Sequence, residues 1–329
     1  MELKTQFSVF PFFDYNTNMK LLIQIPCYNE ESTLATTLLA LPKHIDGIDE
    51  IQILIIDDGS TDKTIEVAKQ NGVENFVIFP NNLGLAKAFS MGLAKSLELG
   101  ADIIVNTDAD NQYCADDIEK LVRPIIKETA DIVIGARPIE NIKHFSFVKK
   151  ALQKLGSWVM RLVSSTKIAD ATSGFRAFSR DAALQINVFD NYTYTLETII
   201  QAKAKGLEII SVPIGVNKEL RESRLIKNVF DYIKRSTFTM IRMFIVYRPF
   251  RFFAIIGCLF LFPGILLGAR FLYYYINHLG SGHIQSLILS AVLILTGVQV
   301  GLIAVLADLL SINRKLLEDI QTRLKKGNC

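Results

Sequence analysis

Two aspartates separated by one residue form a pair that could do chemistry. Asp108 and Asp110 come shortly after an apolar, β-branched run at residues 103–105. Carboxylates at this spacing can direct oxygens at one hard cation such as Mg²⁺ or Mn²⁺, and a substrate diphosphate would complete the ligand set. The alternative is a turn in which the aspartates bond only to nearby backbone groups.

The surrounding elements predict where such a pair would lie. The run before the aspartates is typical of a strand buried on both faces. Other strands are predicted at residues 21–26, 51–56, 76–79 and 132–134, with helical segments between them. This alternation predicts an α/β fold with a mostly parallel sheet and helices on both faces. Ligands of such sheets bind where the strands end, and the aspartates follow such an end.

Local signals predict the helix boundaries and limit the kind of nucleotide site. Asn29 is the predicted N-cap of the first helix, with two glutamates in its first turn. Gly59 permits a turn after the second strand, and one of the polar residues 60–62 caps a helix at residues 63–70. The sequence has no glycine-rich dinucleotide fingerprint and no P-loop motif. Carboxylates and a metal must therefore hold any nucleotide.

Composition and length restrict the class of protein. The chain has 329 residues, 50% of them hydrophobic, and a formal net charge of +3. This length allows two domains, or one domain and a membrane anchor, and no nucleic-acid partner is expected. Residues 1–18 lack the order of a secretory signal and are treated as a leader. The scattered cysteines predict reduced thiols, without a disulfide framework or zinc site: Cys27, Cys114, Cys258 and Cys329.

Six short motifs together resemble one enzyme family. They lie at residues 25–30, 57–62, 82–84, 108–112, 135–137 and 170–178. In this order and spacing they resemble family 2 inverting glycosyltransferases of the GT-A type. The last block is similar to that of the polyprenyl-phosphate sugar synthases. The resemblance extends over roughly residues 19–250 and implies a GT-A-type, Rossmann-like catalytic domain.

The resemblance also implies roles for individual residues, each of which could instead serve only its strand, helix or turn. Those expected to frame the nucleoside are Pro26, Tyr28, Glu30, Ile56, Asp58 and Asp108. Those expected to hold the metal and the diphosphate are Asp108, Asp110 and Gln112. Those expected to bind phosphate groups are Arg137, Ser157, Arg221 and Arg224.

The expected catalytic residues are Asp170, Asp110 and Arg137. Asp170 occupies the position of the family's base, yet orienting the acceptor or Arg176 is an equal alternative. Arg137 has the planar donor fork that suits a phosphate, and its alternative role is an ion pair with a nearby carboxylate.

The chemistry expected of this family explains why cations are needed. Sugar transfer passes through an oxocarbenium-like state, so the enzyme must neutralise the departing diphosphate. A divalent cation at Asp108 and Asp110, together with Arg221 and Arg224, would do this. A lipid phosphate acceptor is mostly ionised near neutral pH, because its second pKa is about 6, so a strong general base is not required.

The apolar residues collect in the C-terminal part of the chain. Residues 225–250 predict amphipathic juxtamembrane helices, with packing on the soluble domain as the alternative. Residues 251–276 and 284–308 predict a transmembrane hairpin, with a soluble helical hairpin as the alternative. The tail at residues 311–329 is basic. Positive charge on both outer ends of the hairpin predicts that both termini lie in the cytosol.

These expectations combine into one functional hypothesis. A catalytic domain at residues 19–224 transfers one sugar from a nucleotide sugar to a polyprenyl phosphate at the cytosolic face of a bacterial-type inner membrane. Glucose from UDP-glucose is the first expectation, and GDP-mannose or another nucleotide sugar is the alternative. A membrane-anchored scaffold without activity is the rival class. The sequence leaves open whether the chain forms a homo-oligomer.

Overall fold

The computed structural model describes residues 18–138, 168–188, 194–217, 238, 241–242, 244–277 and 284–328. Within them, seven strands form one sheet in the spatial order β3-β2-β1-β4-β6-β5-β7. The strands are β1 (Lys20–Cys27), β2 (Glu50–Asp57), β3 (Asn75–Ile78), β4 (Ile103–Asn106), β5 (Ile132–Ala136), β6 (Arg176–Ser179) and β7 (Ile209–Pro213). The predicted α/β fold with a mostly parallel sheet is confirmed.

One strand reverses direction, and this shapes the edge of the sheet. β6 lies between β4 and β5 and is antiparallel to both, whereas the other neighbouring pairs are parallel. The carboxyl ends of β1, β2, β4 and β5 therefore meet the amino end of β6 at one edge. Segments far apart in sequence converge there.

Helices cover both faces of the sheet. They are α1 (Leu34–Ala40), α2 (Thr64–Gln70), α3 (Leu85–Glu98), α4 (Ile118–Ile126), α5 (Arg180–Gln185) and α6 (Thr195–Ala204). One buried apolar layer joins the sheet to α3, α5 and α6, and the other joins it to α1, α2 and α4. All four residues of β4 are buried, which agrees with its unbroken apolar run.

The first helix begins later than the sequence predicts. α1 starts at Leu34 with Thr33 before it, and Asn29 has a left-handed backbone with φ of 55°. The prediction that Asn29 caps this helix is therefore wrong. Its side chain accepts a hydrogen bond from Thr61 N at 2.8 Å instead, because the β1–α1 connection turns toward the neighbouring loop before the helix begins.

Two long helices follow the domain that contains the sheet: α7 (Pro249–Ile276) and α8 (Ile284–Asn328). Both are long and apolar enough to cross a membrane. They pack closely because small residues face each other: Ser290 Oγ donates to Gly264 O at 2.7 Å, and a Cβ on Gly257 would lie 3.3 Å from Gly297 O.

α8 does not stop where the predicted span ends. Its 45 residues continue as one helix to Asn328, into the segment predicted as a basic tail at residues 311–329. The predicted amphipathic helices at residues 225–250 lie mostly outside the described residues. The boundaries of the membrane segments remain predictions.

Candidate functional site

The loops after β1 and β2 are held together by side-chain acceptors. Ser60 Oγ accepts from Asn29 N at 2.9 Å, Thr64 Oγ1 accepts from Glu30 N at 2.8 Å, and Asp62 Oδ2 accepts from Glu31 N at 3.1 Å. The run of hydroxyl and carboxylate residues after β2 thus satisfies the backbone of the neighbouring loop. These hydrogen bonds between the two loops fix the part of the sheet edge where a nucleoside is expected.

The turn after β2 also fixes the loop that begins α3. Asp58 accepts hydrogen bonds from Leu83 N at 2.7 Å and Gly84 N at 2.9 Å, one on each carboxylate oxygen. Gly59 has φ of +72°, and a Cβ there would lie 2.5 Å from the backbone carbon of Asn81. The Asp-Gly pair is therefore required for two backbones to approach each other. Burial raises the pKa of Asp58, although the two backbone donors oppose the shift.

The predicted nucleoside residues differ in how they face this edge. Tyr28 is 40% exposed, Pro26 is half-buried, and Glu30 is buried with its Oε2 accepting from Thr33 Oγ1 at 2.8 Å. Ile56 departs from the expectation that it faces a nucleoside. Its side chain is fully buried, and a Cβ on Gly92 of α3 would lie 3.0 Å from its Cδ1, so Ile56 supports β2 from the core.

The loop after β4 carries the two aspartates in a defined turn. Asp110 Oδ1 accepts from Gln112 N at 3.2 Å, and Asn111 between them has φ of 55°, a conformation that asparagine tolerates better than most residues. Thr37 Oγ1 of α1 donates to Ala109 O at 2.9 Å and holds the loop from one face. The local turn that the sequence offered as an alternative is present, and both carboxylates remain at the edge.

The electrostatics of Asp108 favour a cation. Burial, and after it the negative charge of Asp110, raise the pKa of Asp108 to about 7 against the opposing effects of Arg137 and a hydrogen bond with Tyr113. A divalent cation between the two carboxylates would remove this repulsion, and carboxylate oxygens are hard ligands. Among the described residues no group of three or more His, Cys, Asp or Glu could hold a metal.

Tyr113 is a site residue that the sequence reasoning missed. Its hydroxyl contacts Asp108 and accepts from Gly174 N at 3.2 Å, and its ring stacks on Phe175 at 4.9 Å. It therefore joins the aspartate loop to the loop before β6. The sequence did offer a signal for this role: a tyrosine one position after Gln112, whose hydroxyl can reach a neighbouring carboxylate.

Asn217 ties a further segment to the aspartate loop. Its side-chain nitrogen donates to Asn111 O at 3.1 Å and Tyr113 O at 3.0 Å, and its backbone nitrogen donates to Gln112 O at 2.9 Å. The basic segment that follows Asn217 contains Arg221 and Arg224. These two arginines, like Ser157, lie outside the described residues, and their predicted phosphate contacts remain predictions.

Arg137 and Asp170 form a buried two-point ion pair. Arg137 Nε lies 2.7 Å from Asp170 Oδ2, and Nη2 lies 3.2 Å from Oδ1 and 3.0 Å from Thr172 Oγ1. The Asp170 carboxyl is fully buried, and burial alone would raise its pKa, but the charge and hydrogen bonds of Arg137 lower it overall. The ion pair that the sequence left open for Arg137 is present.

Arg176 is fully buried and holds backbone in place. Its guanidinium donates to Ser173 O and Thr195 O at 2.8 Å and to Ala171 O at 2.9 Å. Burial lowers its pKa to about 10. In the structure, Asp170 accepts hydrogen bonds from Arg137 and Thr172, so Asp170 does not orient Arg176 directly. Arg176 instead fixes the loop that carries Asp170.

Comparison with known proteins assigns the chain to a family. The family described as Glycosyl transferase family 2 matches residues 22–186, which contain most of β1, all of β2 to β6 and the loops after β1, β2 and β4. The chain belongs to glycosyl transferase family 2 and is a glycosyltransferase. This confirms the family that the sequence motifs suggested.

Individual relatives agree with this assignment. A UDP-N-acetylglucosamine–dolichyl-phosphate N-acetylglucosaminyltransferase of Methanococcus voltae is 35% identical over 212 residues, covering 58% of this chain and 82% of that protein. An undecaprenyl-phosphate mannosyltransferase of Micrococcus luteus is 29% identical over 218 residues, covering 63% of this chain and 88% of that protein.

A solved structure shows the same fold. Glucosyl-3-phosphoglycerate synthase from Mycobacterium tuberculosis, in complex with Mn²⁺, UDP-glucose and phosphoglyceric acid, is similar with a TM-score of 0.53 and 20% identity. The similarity covers 69% of this chain and 79% of that chain.

Proposed function

We propose that the chain transfers one sugar from a nucleotide donor to a polyprenyl phosphate at a membrane surface. The observation that carries this proposal is the edge where the Asp108–Asp110 loop and the Arg137–Asp170 pair meet, on a domain followed by two helices long enough to span a bilayer. Both relatives are named for a polyprenyl phosphate, dolichyl phosphate in one and undecaprenyl phosphate in the other, and this supports the class of lipid acceptor.

The donor diphosphate would lie against the aspartate loop. Asp108, Asp110 and Gln112 would hold a Mg²⁺ or Mn²⁺ ion, which supplies Lewis-acid neutralisation of the leaving diphosphate when it is bound. The structural neighbour that contains Mn²⁺ with UDP-glucose supports a divalent cation of this kind. Tyr113 would orient Asp108, and Tyr28, Pro26 and Glu30 would frame the nucleoside, with Asp58 ordering the loop beside it.

Arg137 would bind the acceptor phosphate, and Asp170 would position Arg137. The Asp170 contacts occupy Nε and Nη2, which leaves the Nη1 edge of the guanidinium directed to a ligand in this proposal. A carboxyl with a lowered pKa that already accepts from Arg137 and Thr172 is a weak general base. An ionised phosphate acceptor does not need one. The positioning role is therefore favoured over the base role.

The hairpin of α7 and α8 would place this edge near the bilayer. The nucleotide sugar would approach from the cytosol, while the polyprenyl chain would stay in lipid. This arrangement requires both outer ends of the hairpin on the cytosolic side, as their positive charges predict. The predicted inner-membrane location belongs to this proposal.

The test is transfer of labelled sugar into a lipid that butanol extracts. Full-length protein in vesicles is given one polyprenyl phosphate and, in separate reactions, UDP-glucose, UDP-N-acetylglucosamine or GDP-mannose. We expect labelled lipid from one donor, with UDP-glucose as our first expectation, and no product after chelation of divalent cations. The absence of product from every donor would leave the scaffold as the better explanation.

The variant Asp110→Asn tests the proposed metal loop. We expect it to reduce transfer by at least about 100-fold, the scale of removing one electrostatic stabiliser of the transition state. Asp116→Asn is the matched control, because Asp116 is an exposed carboxylate six residues along the same segment. Equal activity of the two variants would contradict the role of Asp110.

A further inference from the structure

On one side of α8, buried residues recur every seven positions. Ser290, Gly297, Ala304, Ser311 and Glu318 are all buried. The small residues of the first half pack against α7, and Glu318 lies 3.2 Å from Lys205 of the catalytic domain. This side of the helix is therefore occupied along its length by other parts of the same chain.

On the opposite side of α8, exposed leucines recur with the same seven-residue period. Leu295, Leu302, Leu309 and Leu316 are seven residues apart and between 54% and 62% exposed. Ile288 continues this series toward the start of the helix, and residues three or four positions from the leucines complete an apolar stripe: Val292, Leu306 and Ile320. Apolar residues alternating at spacings of three and four over several heptads are the sequence signature of a coiled coil.

Polar residues on this stripe indicate a protein partner. In the register that places these leucines at d positions, Gln299 and Asn313 fall at a positions between Val292, Leu306 and Ile320. The amide of Gln299, which lies in the predicted span, is costly in hydrocarbon unless it finds a hydrogen-bond partner, and helix pairs in membranes supply such partners. An asparagine at an a position is also a known means of fixing register and oligomeric state.

The bilayer cannot cover the whole stripe. A helix of 45 residues is about 67 Å long at 1.5 Å per residue, whereas the hydrocarbon layer is about 30 Å thick. Gly257, near the start of α7, packs beside Gly301, so the part of α8 beyond residue 309 extends past α7. Lys325 Nζ, which donates to Asn187 Oδ1 at 2.8 Å, places that part beside the catalytic domain.

We propose that α8 pairs with α8 of a second copy of this chain in a parallel coiled coil through Leu302, Leu309, Asn313 and Leu316. The parallel direction rests on the proposed membrane hairpin, which gives every copy the same orientation. Identical heptads then align, and Asn313 can face Asn313 of the other copy. Lys205 and Asn187, the described domain residues that bond to α8, contact its Glu318 and Lys325 and not the leucines of the proposed contact.

The stripe is broad enough for more than two copies. Leu310, Leu317 and Leu324 lie at the adjacent e positions and are between 63% and 68% exposed. We call the line of a and d residues along which two helices meet the seam. In a two-helix coiled coil the e positions flank this seam, whereas additional helices would cover them. The assembly is therefore a dimer or a larger parallel bundle.

Site-specific photo-crosslinking in vesicles tests the contact on the full-length chain. A photo-crosslinking amino acid is introduced at position 316 or, as the control, at position 315, where Lys315 lies outside the seam. We expect about tenfold more covalent dimer from position 316, because a d side chain inserts into the facing helix and a c side chain does not. Equal crosslinking at the two positions, or crosslinking of position 316 to lipid alone, would overturn the proposal.

A second experiment removes the seam without touching the folded chain's own contacts. Leu309→Gln with Leu316→Gln replaces two exposed side chains, so far-UV circular dichroism should be unchanged. In the double variant, we expect the crosslink from a probe at position 313 to be lost, whereas Lys315→Gln should retain it. Retention by the double variant would place the contact elsewhere and overturn the proposal. Sugar transfer is measured separately, so failure of the proposed function would not be confused with failure of the contact.

Discussion

Arg137 and Asp170 meet through two hydrogen bonds of 2.7 and 3.2 Å at the end of β5 and the start of the loop before β6. The carboxylate is completely buried and the guanidinium is only 10% exposed. A charge in such a place is tolerated because its partner is fixed beside it. The pair therefore joins two strands of the site and also sets the direction of the arginine.

Removal of one partner should destabilise the fold. Asp170→Asn keeps the shape of the side chain and leaves Arg137 without its counter-charge. Breaking a buried pair in this way costs about 3–5 kcal/mol, so we expect a loss at the lower end of that range because Arg137 is slightly exposed. Thermal unfolding of the full-length protein in detergent measures it. Asp116→Asn is the exposed control, and a similar loss there would contradict the interpretation.

The same pair makes a specific prediction about pH. Asp170 has a lower pKa in the folded chain, because Arg137 outweighs the effect of burial. Such a group stabilises the fold above its ordinary pKa of about 4, and this contribution is lost as the pH falls through the lower, folded value. The stability difference between wild type and Asp170→Asn should be complete at pH 7 and should shrink below about pH 4. A constant difference would exclude this linkage.

Tyr113 should control the pH at which the aspartate loop binds a cation. Metal binds the ionised carboxylate, and burial raises the pKa of Asp108 to about 7, so affinity for Mn²⁺ should rise up to that pH and then level off. Tyr113→Phe removes a hydrogen bond that lowers this pKa, so the plateau should begin at a higher pH. Mn²⁺ titrations from acidic to mildly basic pH measure the shift.

The control for this prediction is another tyrosine at the same edge. Tyr28→Phe changes a residue that is 40% exposed, whereas Tyr113 is buried. It should leave the pH profile of metal binding unchanged. A shift of equal size in both variants would show that the effect does not depend on the contact between Tyr113 and Asp108.

Gly59 should be more sensitive to alanine than other glycines of the same conformation. Gly59→Ala places a Cβ 2.5 Å from the backbone of Asn81, in addition to the left-handed strain of about 1–2 kcal/mol. Gly72→Ala is a matched control, because Gly72 has φ of +81° and nothing lies within 4 Å of its added Cβ. We expect Gly59→Ala to lose more stability in thermal unfolding and also to weaken donor binding. Equal effects of the two variants would show that the close approach to Asn81 is unimportant.

The sequence predicted those parts of the fold that local pattern determines. Short β-branched runs, a glycine before α3 and the aspartates after β4 are each visible within a few residues. The antiparallel insertion of β6 between β4 and β5 was not predictable in this way, because strand order depends on pairing between residues 42 to 76 positions apart.

The missed parts of the site depend on contacts between distant residues. Tyr113 acquires its position from Gly174 and Phe175, and Arg176 is buried because backbone carbonyls from two segments surround it. In the C-terminal region, the sequence predicted a basic tail but not that α8 would continue through it to Asn328. A charge count does not distinguish a tail from such a helix.

The contact between Lys205 and Glu318 should attach α8 to the catalytic domain. Lys205 Nζ lies 3.2 Å from Glu318 Oε2, with side chains only 15% and 7% exposed, so a double-mutant cycle of Lys205→Met and Glu318→Gln should give a coupling of about 1–3 kcal/mol in thermal unfolding. The control cycle uses Arg323 and Asp319, 3.0 Å apart on the exposed face of the same helix, and should give less than about 0.5 kcal/mol. Because one pair crosses between α8 and the domain and the other lies within the helix, equal couplings would mean that α8 is not held by this ion pair.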